Sequence, residues 1–256
     1  MKNHRLSRAY LVLLLIVFYL PIAVAIVYSF NDSKLSTVFT GFSLRWYKTL
    51  FNDKAMFKAL VNSVVLGVLS SVIAALIASA AALAFRKKLP FSRFFSGASM
   101  IPILIPDIIL GMVLLAYFSL FDVTLGFGTL LIAHVSFCIP HCFLQISART
   151  VSMDPAPAEA ARVMGAGRIR AFFEITLPYL LPAVGSGMFI SFAMSFDDVI
   201  ISSFVTGVGF TTLPVKVYSQ AKLGMTPEIN ALCSLMIILA VVCLSISGFI
   251  RRKTEK

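Results

Sequence analysis

Six long blocks of apolar residues divide this chain, and they constrain its fold more than any other feature. Each block is about as long as the roughly 20 apolar residues that a helix needs to cross the hydrocarbon core of a bilayer. Within the blocks the apolar residues follow neither a period of two nor a narrow stripe, so the helices are expected to be apolar on all sides. The blocks cover approximately Ala9–Phe30, Leu60–Phe85, Phe94–Phe121, Leu125–Leu144, Leu180–Phe204 and Ala231–Ile250.

The composition agrees with a membrane-embedded chain. Hydrophobic residues make up 59% of it and charged residues only 13%, whereas a soluble domain carries about 25% charged residues. We therefore predict an all-α integral membrane protein with six transmembrane helices. Residues 1–8 form a short N-terminal segment and residues 9–256 a single transmembrane domain. The first block is long and lacks a clear small-x-small cleavage site, so we expect it to remain as an anchor.

The basic residues predict the orientation. With six spans both ends of the chain lie on one side, and that side receives 15 of the 22 Lys and Arg residues. Positive residues mark the cytoplasmic side, so both termini are predicted to be cytoplasmic in a bacterial inner membrane. The net charge is +11, but the basic residues on this side are divided among four short segments. That distribution does not fit a nucleic-acid surface. The 15 residues are Lys2, Arg5, Arg8, Arg86, Lys87, Lys88, Arg93, Arg149, Arg162, Arg168, Arg170, Arg251, Arg252, Lys253 and Lys256.

Three aspartates fall inside the apolar blocks or at their ends. Asp107 follows Pro102 and Pro106, and such prolines kink a helix and free backbone groups that lipid tolerates only beside protein or a water cavity. Along a straight helix Asp107 lies roughly 18 Å into the span, a little past the midplane. Asp197 and Asp198 lie in the outer half of the fifth block. Intramembrane carboxylates mark ion or substrate paths, and we favour that role for Asp107 and Asp198. The alternatives are that Asp107 caps a broken helix and that Asp197 belongs to a structural pair.

The loop between the fourth and fifth blocks, Ser147–Tyr179, carries the most specific pattern. Proline opens helices and glycine ends them, and Glu159 suits a positive helix N-terminus. This predicts a short helix from Pro157 to Met164 that stops at Gly165. A second helix is predicted over Arg168–Thr176, after which Leu177 and Pro178 lead into the fifth span. The alternative is a generic amphipathic connector.

The same loop resembles the EAA loop of ABC-importer permeases, whose pattern is E-A-A-x3-G-x9-I-x-L-P. The resemblance implies a type I ABC importer permease fold in which the first loop helix, the coupling helix, fits a groove on an ATPase and transmits its motion. The chain contains no G-x-x-x-x-G-K-[ST] phosphate loop. ATP and Mg²⁺ are therefore expected on the partner ATPase, and this chain is expected to bind no cofactor and to perform no covalent chemistry. The matching residues are Glu159, Ala160, Ala161, Gly165, Ile175, Leu177 and Pro178.

Longer matches along nearly the whole chain resemble the spermidine/putrescine permeases of this class. They imply a polyamine cargo, a homologous second permease, two copies of an ATPase and an external substrate-binding protein. Carboxylates along the path would suit the ammonium groups of such a cargo. In one departure, Gly207-Val208-Gly209 stands where relatives often have Gly-Pro, which leaves that turn open. The matches are Tyr28–Ser33, Arg45–Tyr47, Pro106–Ile108, Ser195–Val199, Ser202–Gly207 and Pro227–Leu232.

Other function classes stay open at this point. An ion-coupled secondary carrier could use Asp107 and Asp198 as ion sites, but the EAA loop has no role in it and six spans without a second half is short. An ABC permease for a different substrate shares the loop. A membrane enzyme or metal site could use His134, Cys138 and Cys142, which recur at four-residue intervals. Packing is the ordinary role of such residues, and no nucleophile–base arrangement supports an enzyme.

One aromatic cluster has a predicted place at the membrane boundary. The outward-facing segment 31–59 holds the only tryptophan, Trp46. Aromatic residues next to a span are usually found at the level of the lipid headgroups. We predict that position for Trp46, with contact to a partner as the second choice.

Overall fold

The computed structural model describes residues 4–34, 38–86, 92–224 and 226–254, and within them every regular element is helical. Four helices are long and apolar enough to cross a membrane, namely Leu6–Ser29, Lys54–Arg86, Phe127–Val151 and Arg168–Asp197. A bent pair, Phe94–Leu104 with Asp107–Leu120, supplies a fifth span if it is counted as one. The apolar stretch Pro227–Leu239 opens a further 28-residue helix. This confirms the predicted all-α membrane fold.

In those ranges the helices run in the order α1 to α13, with one π-helical turn, Phe172–Thr176, between α9 and α10. Their bounds are α1 His4–Ser29, α2 Arg45–Asn52, α3 Lys54–Arg86, α4 Ser92–Ala98, α5 Ile101–Leu104, α6 Asp107–Leu120, α7 Phe127–Val151, α8 Ala156–Val163, α9 Arg168–Ala171, α10 Leu177–Asp197, α11 Ile200–Val205, α12 Leu213–Leu223 and α13 Pro227–Thr254.

The chain divides into two compact units, and in the first, residues 1–57 with 217–256, α13 packs against both α1 and α2. The loop after α1 is organised around Asn31, which is fully buried. Its side-chain amide donates to the Val38 carbonyl at 2.7 Å, and its backbone carbonyl accepts the Trp46 indole N–H at 2.7 Å. Trp46 is only 9% exposed. This contact fastens α2 to the loop, and the headgroup level of Trp46 stays a prediction.

The second unit, residues 58–216, has its core where α7 packs against α10. Small residues set the spacing. A Cβ added to Gly187 would lie 3.1 Å from Cys142 Cα, and one on Gly67 would lie 3.0 Å from the Phe192 ring. Any larger side chain at these positions would push the helices apart, as expected where helices approach closely in lipid.

Two of the predicted spans are interrupted rather than continuous. The third is broken between α5 and α6 and bends there by 105°, so a distance counted along a straight helix does not locate Asp107. The fifth block was predicted to continue to Phe204, but α10 ends at Asp197 and α11 starts at Ile200. The first break has a clear cause, since Pro106 cannot donate a backbone hydrogen bond. The second comes from side-chain capping, described below.

The turn that the sequence leaves open, Gly207-Val208-Gly209, follows α11. Gly209 has φ +91°, a left-handed conformation that glycine adopts without strain. Gly207 lies directly against the backbone of Leu125, so that a Cβ there would collide with the Leu125 carbonyl. This turn therefore depends on glycine at both positions.

Part of the charge pattern lies outside the described residues. Lys2, Lys87, Lys88 and Lys256 fall there, and the side chains of Arg5, Arg93, Arg251, Arg252 and Lys253 are likewise not described. The cytoplasmic location of the termini stays a prediction.

Candidate functional site: the EAA loop and an acid-lined cavity

The first helix of the EAA loop, α8, covers Ala156–Val163, close to its predicted bounds. Asp154 begins it, because its carboxylate accepts the Ala156 N–H at 2.9 Å. Gly165 follows the helix end with φ +93°. The N–H of Gly165 donates to the Arg162 carbonyl and that of Ala166 to the Ala161 carbonyl. This is the Schellman arrangement, which favours glycine at the left-handed position.

The second part of the loop differs from its prediction as a separate helix over Arg168–Thr176. It begins at Arg168 as expected but continues without interruption into the fifth span, as one run of 30 residues, Arg168–Asp197. The join is the π-helical turn Phe172–Thr176, which contains Ile175, followed by Leu177 and Pro178 at the start of α10. Pro178 has no N–H for the carbonyl four residues earlier, so the helix widens locally there. The second part of the loop and α10 therefore share one continuous helical backbone.

Arginine contacts fasten the loop to the neighbouring spans. The Arg86 guanidinium, at the end of α3, donates to the Met153 carbonyl at 2.7 Å. Arg149, in the last turn of α7, lies 4.0 Å above the Tyr179 ring. The first contact ties the residue run before α8 to α3, and the second ties the start of α10 to α7.

The surface of the loop exposes an apolar patch. Glu159, Ala160 and Gly165 are exposed, and Ala161 is half-buried. Around them Val163 is 88% exposed and Ile169 is 78% exposed. Large apolar side chains exposed beside a charged helix end are typical of an interaction surface.

The three predicted path residues line one cavity of about 470 Å³. This volume falls within the range of about 300–1,000 Å³ that is usual for small-ligand pockets. Asp107 is the first residue of α6, directly after the break in the third span, and Asp197 and Asp198 stand at the break between α10 and α11. The structure thus brings together at one cavity both helix breaks, whose ends pack through α6 and α11. The remaining lining comes from Phe137, Ala193, Met194, Val199, Ile200 and Ile201.

The three carboxylates are not equivalent. Asp107 and Asp197 are exposed to the cavity, and neither makes a hydrogen bond or an ion pair with a described residue. The Asp198 side chain is only 9% exposed. Its two oxygens accept the backbone N–H groups of Ile201 at 3.2 Å and Ser202 at 2.7 Å. Asp198 is therefore the cap that starts α11, a role the sequence reasoning missed.

The row of His134, Cys138 and Cys142 faces α10 inside the second unit. Ser191 contacts both cysteines, accepting from Cys138 through its carbonyl at 3.4 Å and lying 3.1 Å from Cys142 Sγ through its hydroxyl. His134 contacts two other serines. In the part of the chain that the structure describes, no three His, Cys, Asp or Glu side chains converge as metal ligands would.

Comparison with known proteins identifies the family. Residues 71–253 match the family described as "Binding-protein-dependent transport system inner membrane component". The chain belongs to this family. It is therefore a multi-pass inner-membrane component of a transport system that works with a binding protein, and the permease fold predicted from the EAA loop is confirmed.

Curated relatives extend over the whole permease. The chain is 36% identical over 256 residues to the spermidine/putrescine transport system permease protein PotC of Haemophilus influenzae, covering 100% of both chains. It is 36% identical over 249 residues to the putrescine transport system permease protein PotI of Escherichia coli, covering 93% of this chain and 88% of the relative.

Solved structures show the same fold at low sequence identity. A bacterial ABC transporter involved in the import of alginate matches with a TM-score of 0.68 at 15% identity, covering 99% of this permease and 98% of that chain. An amino acid ABC transporter matches with a TM-score of 0.58 at 19% identity, covering 81% and 98%. These neighbours act on unlike substrates, so the shared fold carries no information about cargo.

Proposed function

We propose that this permease carries polyamines inward as part of an ATP-driven importer. The observation that carries the proposal is the cavity at the two helix breaks, where Asp107 and Asp197 face open space without a cationic partner among the described residues. A carboxylate at membrane depth is costly unless a cation accompanies it. A polyamine supplies several ammonium groups on a flexible apolar chain, and the names of the curated relatives agree with that cargo.

The contacts of the three aspartates indicate different roles for them. Asp107 and Asp197 are available to take ammonium groups that have lost water, while Asp198 starts α11 and shapes the wall. The sequence favours Asp107 and Asp198 as the path pair. The contacts favour Asp107 and Asp197 instead, because both oxygens of Asp198 are already occupied by backbone N–H groups.

Coupling to ATP is proposed to run through α8. An ATPase subunit that covers the apolar patch around Val163 and Ile169 would move α8, and the continuous helix from Arg168 would carry that motion to Asp197. The full assembly would contain a second, homologous permease, two ATPase copies holding ATP and Mg²⁺, and an external binding protein that delivers the cargo. Both termini would be cytoplasmic.

The experiment uses vesicles that hold the whole assembly and the binding protein, with labelled spermidine and putrescine as cargo. We expect that uptake requires ATP inside the vesicles, on the ATPase face, and that each polyamine inhibits uptake of the other. Imposed proton or sodium gradients without ATP should drive no polyamine uptake. Uptake driven by such a gradient would establish a secondary carrier instead. ATP-dependent uptake of another solute, without uptake of polyamines, would support an ATP-driven importer but contradict the proposed polyamine cargo.

A further inference from the structure

We propose that His134 is a positioning residue for transport. From α7 it ties Ser195 to Ser202 across the break between α10 and α11, and together with the adjacent Asp198 cap it fixes the cavity wall that carries Asp197. The expected transport effect rests on the proposed function, whereas the positioning itself can be measured without any cargo.

One imidazole ring contacts both sides of the helix break. His134 is fully buried. Its Nδ1 lies 2.7 Å from the hydroxyl of Ser195, which precedes the break in α10, and its Nε2 lies 3.0 Å from the hydroxyl of Ser202, which follows the break in α11. The same Nε2 lies 3.6 Å from Asp198 Oδ2, at the break itself. No other described side chain makes hydrogen bonds to residues on both sides of this break.

Hydrogen bonds link Ser70, Ser195, the His134 ring, Ser202 and Asp198 into one buried polar seam. Ser70, on α3, donates to the Ser195 hydroxyl at 3.1 Å. The same Ser195 hydroxyl lies within hydrogen-bond distance of Nδ1, so it connects α3 to the His134 ring. Nε2 lies within hydrogen-bond distance of the Ser202 hydroxyl, and the Ser202 backbone N–H donates to Asp198 Oδ2 at 2.7 Å. Every polar group in the seam has a partner, as buried polar groups require.

The seam matters for the cavity because α11 depends on Asp198. Asp198 accepts the N–H groups of Ile201 and Ser202, which a helix start otherwise leaves without partners. Ile200 and Ile201, in the first turn of α11, line the cavity together with Asp197. An apolar side chain at position 134 fills the same space but leaves the Ser195 and Ser202 hydroxyls without their shared partner, at the cost of unpaired buried groups. The first turn of α11 is then held by Asp198 alone, without the link from Ser202 to α7 and α10, and the cavity wall shifts with it.

Three substitutions at His134 separate the effect of how far a polar side chain reaches from the effect of its volume. In His134→Gln the amide nitrogen can occupy the place of ring Nε2 and still face Asp198. In His134→Asn the shorter amide reaches only the place of Nδ1, toward Ser195. His134→Leu removes both contacts. Ser191→Ala is the matched control, because Ser191 is as buried as His134 and lies on α10 but contacts the two cysteines rather than the break.

The first measurement is amide hydrogen exchange at Ile201 and Ser202 in the complete assembly. Loss of the hydrogen bond from Nε2 to Ser202 should speed exchange by about tenfold in His134→Leu and His134→Asn. His134→Gln and Ser191→Ala should stay close to the parent protein. Parent-like protection in His134→Asn would overturn the proposal. Should His134→Leu fail to assemble, the Gln and Asn variants decide the question alone, since they are equally polar and differ only in reach.

The second measurement is ATP-driven polyamine uptake by the same vesicles. A positioning role should raise KM by about tenfold in His134→Asn, with rescue in His134→Gln. A merely structural role would lower assembly yield and maximal rate and leave KM alone. If His134 acts through Asp198, the double variant His134→Asn with Asp198→Asn has the same KM as Asp198→Asn, and additive effects would contradict it. If the assembly carries no polyamine at all, the proposed function fails while the exchange measurement still decides the role of His134.

Discussion

His134 Nε2, on α7, lies 3.6 Å from Asp198 Oδ2, which stands in the interruption between α10 and α11. The contact joins a buried polar seam to a cavity that opens at a second interruption, between α5 and α6. Irregular backbone at membrane depth is tolerated where it is buried in protein or lines a water-filled cavity. Broken helices that meet at an acidic cavity are therefore the central structural feature of this permease.

Gly165→Val should uncouple the permease while leaving it in the membrane. Nothing lies within 4 Å of a Cβ at this position, so the effect comes from the backbone, where φ +93° costs a β-branched residue about 1–2 kcal/mol. The measurement is transport and ATPase stimulation in the reconstituted assembly. Gly167→Val is the matched control, because Gly167 also has open space but an ordinary φ of −62°. Equal activity of the two variants would show that the Schellman turn does not transmit motion.

Glu159→Lys should weaken the association with the ATPase. Glu159 lies in the first turn of α8, and charge reversal there opposes the helix dipole by roughly 0.3–1 kcal/mol as well as changing the docking surface. The association is measured by co-purification of the ATPase with the permease. Glu174→Lys serves as control, since Glu174 is exposed and forms only an i,i+4 surface pair with Arg170, which is worth little. Loss of the ATPase in both variants alike would point to general charge rather than to α8.

Part of this arrangement could be read from the sequence and part could not. Gly165 and its helix end were predictable, because local capping rules depend only on neighbouring residues. Pro106 predicted a kink at the third span but not a bend of 105°, since the angle is set by packing against α7 and α11.

The break after Asp197 carried almost no local signal. No proline or glycine occurs between Asp197 and Phe204, and hydropathy continues across it. An aspartate within an apolar run, four residues before a serine, was the available sign of a cap. The main contact of Trp46 gave no local signal either, because its indole partner, the Asn31 carbonyl, is fifteen residues away in the chain.

The orientation is tested by cysteine labelling with an impermeant thiol reagent on intact cells. We expect Asn52→Cys and Ser219→Cys to react from outside and Arg162→Cys to stay unlabelled until the cells are opened. All three positions are exposed. Cys138 and Cys142 are fully buried, so replacement of Cys233 and Cys243 by Ser provides a quiet background. Labelling of Arg162→Cys in intact cells would invert the assigned topology, which rests on the distribution of Lys and Arg.

The most direct test of the central claim is polyamine uptake by reconstituted vesicles carrying Asp107→Asn or Asp197→Asn, measured together with the yield of assembled complex. Each substitution keeps shape and removes one charge from the cavity, and we expect uptake to fall by at least about tenfold with assembly intact. Asp122→Asn is the matched control, because Asp122 follows the far end of α6 at φ 50°, a conformation that Asn tolerates well; Asp32→Asn and Asp53→Asn in the outer loop should likewise change little. Uptake at the parent rate by well-assembled Asp107→Asn and Asp197→Asn would contradict the account, because the acid-lined cavity would then not be the path of the cation.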